Sequence, residues 1–136
     1  MIVVDTNTLA YLFLPTRFTD SVEQLLLFDS HWVAPTLWRS ELRNILATQV
    51  KHNIISFETA INIQSKAEDI LNKNEYVVDS ISVLSLAKES GCTAYDCEFI
   101  ALAKLLKTKL ITADKKLLRN FPDTAIKASD YVANRS

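Results

Sequence analysis

Apolar positions in this chain change period repeatedly, from short β-branched runs to stripes at spacings of three and four. Ile2-Val3-Val4 is a continuous β-branched run that reads as a central strand buried on both faces, and Asp5 ends it. Leu9, Leu12 and Phe13 then share one face of a helix over residues 6–14, which Pro15 stops. Thr19 or Asp20 suits the cap of a second helix with Val22, Leu25, Leu26 and Phe28 on its apolar side. Trp32-Val33-Ala34 forms a second strand, and Pro35-Thr36 open a helix faced by Trp38, Leu42, Ile45 and Leu46. Another helix fits residues 56–74, with Ser56 as its cap; it bears Ile61, Ile63, Ala67, Ile70 and Leu71. Tyr76-Val77-Val78 reads as a third strand ended by Asp79, and Val83 to Glu89 as a short helix closed by Gly91 in the left-handed conformation.

The stretch around which the rest is organised runs from Thr93 to Asp114. A carboxylate at Asp96 opens a helix, and Phe99, Ile100, Ala103 and Leu106 supply one buried stripe. Lys104, Lys107 and Lys109 load its C-terminal end, where cations suit the helix dipole. Leu110-Ile111-Thr112-Ala113 is a short strand followed at once by Asp114. Residues 115–120 make a helical turn, 124–127 an edge strand, and 130–134 close the chain.

Strands alternating with amphipathic helices imply an α/β fold, a parallel sheet with helices on both faces. Right-handed crossovers bring the strand C-termini to one edge, where ligands of open α/β sheets bind. Asp5 and Asp114 then end strands, Glu41 lies one turn into the helix after a strand, and Asp96 opens the helix leading to Asp114. These four acids can converge. Close carboxylate pairs repel by roughly 3 kcal/mol at an effective dielectric of about 20, so a cation is required. No histidine is near, since His31 and His52 lie elsewhere, and all-oxygen donors select Mg²⁺ or Mn²⁺ over zinc. A metal held there could lower the pKa of a water and offset charge at an in-line phosphoryl centre, which is phosphodiesterase chemistry.

Composition narrows the picture. At 136 residues the chain fits one domain, and folding at that size buries roughly two-thirds of the unfolded surface. It has no long apolar run and no signal-peptide pattern, so the expected location is cytoplasmic. Cys92 and Cys97 are not spaced as C-x-x-C and read as small core residues in a reducing compartment. A net charge of −1 provides no global basic field, so any contact with nucleic acid must come from a local patch. Gly91 is the only glycine, which excludes the Gly-rich phosphate loops.

Each acid also has a plainer reading. Asp5 and Asp114 could cap the helices that follow them, Glu41 could be solvated, and Asp96 could serve the helix dipole. Asp79 ends a strand too, but reads as a cap for residues 80–84. Glu98 falls on a different helix face from Asp96, within reach of a second metal or of the groove. For phosphate binding the candidates are Arg39, Arg43, Lys104, Lys115, Lys116 and Arg119, with Lys115-Lys116 foremost because they follow the acidic edge directly. Tyr11, Phe13, Trp32 and Trp38 read as core or interface residues rather than stacking platforms for bases.

Four spaced motifs together resemble a PIN-domain ribonuclease, most closely the VapC-type toxins of bacterial and archaeal toxin–antitoxin pairs. They are Asp5-Thr6-Asn7 after a first strand, Glu41 within Arg39-Ser40-Glu41-Leu42-Arg43-Asn44, Tyr95-Asp96 with Ile100-Ala101-Leu102-Ala103, and Thr112-Ala113-Asp114. The resemblance spans essentially the whole chain and implies one PIN-like nuclease domain over residues 1–136, a three-layer α/β/α sandwich. It further implies a metal-dependent endoribonuclease that inhibits translation, with Asp5, Glu41, Asp96 and Asp114 as metal site and Asn7 and Thr112 orienting it. RNA as substrate, a homodimer, and a cognate antitoxin whose C-terminal segment lies in the active-site groove are implied as well. Rival readings are a noncatalytic PIN-like binding module, which would normally have lost an acid, and a metal-dependent DNA nuclease or phosphatase. A receiver-like switch would want a paired acid after the first strand, where this chain has Asp5 followed by Thr6.

Overall fold

The structure is a computed structural model that describes residues 1–135. Ile2–Val4 forms β1, with all three side chains at or near zero exposure, as a strand buried on both faces requires. Thr6–Phe13 is α1, capped by the Asp5 carboxylate on the Thr8 amide. Thr19–Phe28 is α2, followed by β2 over Trp32–Pro35 and α3 over Trp38–Lys51. Phe57–Ile70 is α4, Glu75–Tyr76 is β3 and Ser80–Ser90 is α5. Ala94–Leu105 is α6, Leu110–Ile111 is β4, Lys115–Asn120 is α7, Ala125–Ile126 is β5 and Ala128–Arg135 is α8.

The five strands pair in parallel in the order β3-β2-β1-β4-β5. Helices flank this sheet, giving the expected α/β/α sandwich. The chain moves outward from β1 through β2 to β3, then returns to the other side of β1 for β4 and β5. A topological switch point therefore falls between β1 and β4, and ligands bind in such crevices outside the carboxyl ends of the strands. Val4 pairs with Ile111 there, so Asp5 and Thr112 leave neighbouring strands side by side.

Several boundaries differ from the sequence reading, each for a local reason. The central helix α6 starts at Ala94 and not at Asp96, because the Thr93 hydroxyl accepts the Asp96 amide at 3.0 Å and is the true cap. Its burial also exceeds one stripe: Cys97 and every residue from Phe99 to Ala103 are buried, since α6 packs on β1, β2 and β4 and against α5. Pro35 ends β2 instead of opening α3, where only Thr36 and Leu37 separate it from the helix. The third strand covers Glu75–Tyr76, and Val77 is exposed because Asp79 already caps α5 by accepting the Ser82 amide. The Thr19 hydroxyl does not cap α2 but donates to the Tyr11 carbonyl at 2.7 Å, tying the helix start to α1. Gly91 adopts φ +72°, the left-handed helix end expected of it. Cys92 and Cys97 are buried free thiols, and Trp32 and Trp38 are fully enclosed in the core.

Candidate active site

A cavity of about 220 Å³ opens at the carboxyl edge of the sheet, and Asp5, Glu41, Asp96 and Asp114 all line it. Each reaches it from a different element. Asp5 follows β1, Glu41 stands on the first turn of α3, Asp96 on the first turn of α6, and Asp114 caps α7 after β4. The apolar floor is supplied by Phe99 and Leu117, both buried. Asn7 lines the cavity as an exposed side chain.

Hydrogen bonds fix two of the acids. One Asp5 oxygen accepts the Thr8 amide at 2.8 Å, and the other accepts the Thr112 hydroxyl at 2.5 Å. Thr112 is itself buried and its oxygen accepts the Asp114 amide at 3.0 Å, so one hydroxyl joins the ends of β1 and β4. Glu41 accepts a hydrogen bond of 2.6 Å from the buried Thr6 hydroxyl. Asp114 also accepts the Leu117 amide at 3.0 Å, so its plain role as a cap and its place in the cavity coexist.

The electrostatics are those of an acidic cluster that its neighbours offset only in part. Burial pushes the Asp5 carboxyl above its ordinary range, partly opposed by hydrogen bonds from Thr112 and Thr8, with Asp96 adding repulsion. Glu41 is raised by burial as well, with its Thr6 hydrogen bond opposing and the charges of Asp96, Asp5 and Glu98 adding to the rise. Asp96 is raised by burial and then by Asp114, while the Thr93 hydrogen bond and the Lys116 charge pull the other way. Such a cluster is relieved by taking up protons or a cation. Among the described residues no group of three or more Asp, Glu, His or Cys side chains is already arranged to hold a metal ion. The donor set nevertheless has the chemistry of a hard-cation site, since carboxylate, hydroxyl and amide oxygens line it and no imidazole or thiol does.

The basic candidates divide. Arg39 and Arg43 are not brought to the acid cavity. Arg39 donates to both Glu75 oxygens at 2.7 Å and pairs with Glu68 at 2.9 Å, which ties its guanidinium to β3 and α4. Arg43 lines a separate apolar groove between α3 and α4. Lys116 donates to the Gly91 carbonyl at 2.8 Å, although its charge still reaches Asp96. Lys115 lines a second cavity beside the first. Thr6 and Thr8 were not singled out from the sequence. Their signal was position alone, directly after an acid that ends a strand.

The PIN domain family model matches residues 2–123. Ribonuclease VapC3 of Pyrobaculum aerophilum is 27% identical over 134 residues, covering 89% of this chain and 95% of that protein. The crystal structure of PAE2754 from the same organism superposes with a TM-score of 0.78 at 19% identity, covering 98% of this chain and 94% of that one. A toxin–antitoxin complex from Klebsiella pneumoniae superposes at 0.70 with 17% identity, over 94% and 98% of the two chains.

Proposed function

The chain belongs to the PIN domain family, and from that premise we propose that it is a metal-dependent endoribonuclease, the toxin of a toxin–antitoxin pair that inhibits translation. The observation that carries this reading is the convergence of Asp5, Glu41, Asp96 and Asp114 on one cavity at the switch point of the sheet. Similarity to Ribonuclease VapC3 supports RNA as the polymer, and the fold shared with a toxin–antitoxin complex supports an antitoxin as partner. Residues 1–136 act as one nuclease domain, working as a homodimer in the cytoplasm.

In this reading Asp5, Glu41, Asp96 and Asp114 are the residues that would hold Mg²⁺ or Mn²⁺, which once bound would supply a water of lowered pKa and offset charge at the phosphate. The chain's own residues set the geometry. Thr112 and the Thr8 amide fix the Asp5 carboxylate, and Thr6 fixes Glu41, so that neither acid rotates away from the cavity. Asn7, at the cavity wall, orients the site or the substrate by its amide. Phe99 and Leu117 form an apolar floor of low polarisability, which strengthens each charge interaction above it. Lys115 and Lys116, directly after Asp114, hold the phosphate backbone of the strand without reading its bases.

Cleavage of labelled structured RNA by purified protein tests the proposal, with Mg²⁺, Mn²⁺ or chelator and with Asp5→Asn as control. Cuts are expected with either metal and none with chelator or in the variant. Metal-dependent cuts in Asp5→Asn overturn the assignment of the site, and cuts in DNA alone overturn the assignment of the polymer.

A further inference from the structure

A second cavity, of about 240 Å³, lies beside the acid cavity and shares one wall with it, the turn from Thr112 to Lys115. Thr112 faces it while bonding Asp5, and the Tyr11 hydroxyl in its lining is close enough to feel the charges of Asp5 and Asp114. Its remaining walls have a composition that the acid cavity lacks. Arg17, Lys115 and Lys127 line it from three separate segments, and no carboxylate does. Among the described residues none of these three cations forms an ion pair. The rings of Tyr11 and Phe18 lie 4.9 Å apart at an interplanar angle of 31°, and the Arg17 guanidinium sits 4.8 Å above the Phe18 ring. Ser21 and Ser129 also line it, among apolar residues that include Val22 and Ile111.

Unpaired cations select an anion, and a tilted aromatic pair with a guanidinium beside it selects a flat π-system. The ligand that carries both is a nucleotide. The volume, just under the roughly 300–1,000 Å³ of small-ligand pockets, admits at most one nucleotide with part of it at the mouth and no folded segment. We propose that this cavity is the subsite for the nucleotide next to the scissile phosphate, its base against Tyr11 and Phe18 and its phosphate on Arg17, Lys115 and Lys127. The assignment rests on reading the acid cavity as a nuclease site, because the shared turn makes a strand leaving one cavity enter the other. The subsite also supplies the local cationic patch that a chain of net charge −1 needs for contact with nucleic acid.

Isotope-labelled protein in chelator, titrated with each 5′-ribonucleoside monophosphate and with ribose 5-phosphate, tests the subsite without metal or cleavage. Chemical-shift changes are expected to cluster at Tyr11, Phe18 and Lys127. At least one nucleotide should bind several-fold more tightly than ribose 5-phosphate, and Arg17→Ala combined with Lys127→Ala should weaken it about tenfold. Both positions are exposed, so the double variant keeps its fold, which its amide spectrum verifies. Shifts elsewhere, no shifts, equal binding of ribose 5-phosphate, or wild-type affinity in the double variant each overturn the subsite. RNA cleavage by the wild type with no shifts in this cavity overturns the subsite alone. Shifts in this cavity in a protein that cuts no RNA overturn the nuclease reading.

Discussion

The Thr112 hydroxyl donates to the Asp5 carboxylate at 2.5 Å, across 107 positions of sequence. The same oxygen accepts the Asp114 amide, so the two strand ends that flank the switch point are held by one side chain. Its position is dictated by the parallel register, in which Val4 pairs with Ile111 and the next residue on each strand emerges at the edge.

Thr112→Val keeps the shape of this side chain and removes both hydrogen bonds. The Asp114 amide, in a part-buried hydrogen bond, and one Asp5 oxygen lose their partners, at a cost of about 1 kcal/mol in stability. Cleavage should fall about 10- to 100-fold, the usual effect of losing a group that orients a metal ligand, and Thr112→Ser should restore most of it. Urea unfolding and single-turnover cleavage read the two effects. Wild-type cleavage by Thr112→Val would remove this hydroxyl from the working site.

Much of this arrangement was legible in the sequence because parallel strands impose it. An acid immediately after a buried β-branched run stands at the carboxyl edge, which places Asp5, and Asp114 reaches the same edge three residues past Ile111, the end of β4. Glu41 and Asp96 follow from helix phase, one turn or less from a strand end or a cap. What the sequence hid depends on side-chain reach. Arg39 sits two positions from Glu41 and looks poised for phosphate, yet Glu75 on β3 and Glu68 on α4 claim it. Both partners lie on elements whose spatial neighbourhood no local pattern reveals. Tyr11 reads as a core or interface residue, but it lines the second cavity because the loop bearing Arg17 and Phe18 folds back beside it.

Asp96 offers a test of the acidic cluster that needs no substrate. Burial and the nearby Asp114 raise its pKa, so its ionised form opposes folding at neutral pH. A group raised in this way contributes stability below its unfolded pKa and loses it as pH rises through the folded one. In chelator at pH 7, Asp96→Asn should therefore melt no lower than the wild type, despite losing a favourable charge at the start of α6. With Mg²⁺ at about 100 times its dissociation constant the wild type should gain about 2.7 kcal/mol, and the variant little. Equal gains in both proteins would show that Asp96 does not contribute to holding the ion.

The Arg39–Glu75 pair has the opposite sign and should dominate the acid side of the stability profile. Glu75 is held below its ordinary value of 4.5, chiefly by the Arg39 hydrogen bonds and then by the Trp38 ring nitrogen, with burial opposing. A depressed carboxylate stabilises the fold above its unfolded pKa, and that contribution disappears as pH falls from there through the folded value. Glu75→Gln leaves one oxygen for three donors, so it should lower stability at pH 7 by about 1 kcal/mol, less than the roughly 1.5–3 kcal/mol of charged hydrogen bonds because Arg39 is partly exposed. The deficit should hold steady between about pH 6 and pH 8 and narrow below the ordinary glutamate value, as protonation removes from the wild type what the substitution removed from the variant. Urea unfolding of both proteins across that range measures it. A deficit that stays constant into acid would mean that Glu75 acts by keeping the Arg39 guanidinium over the Trp38 ring, 5.6 Å from its centroid, and not through its own charge.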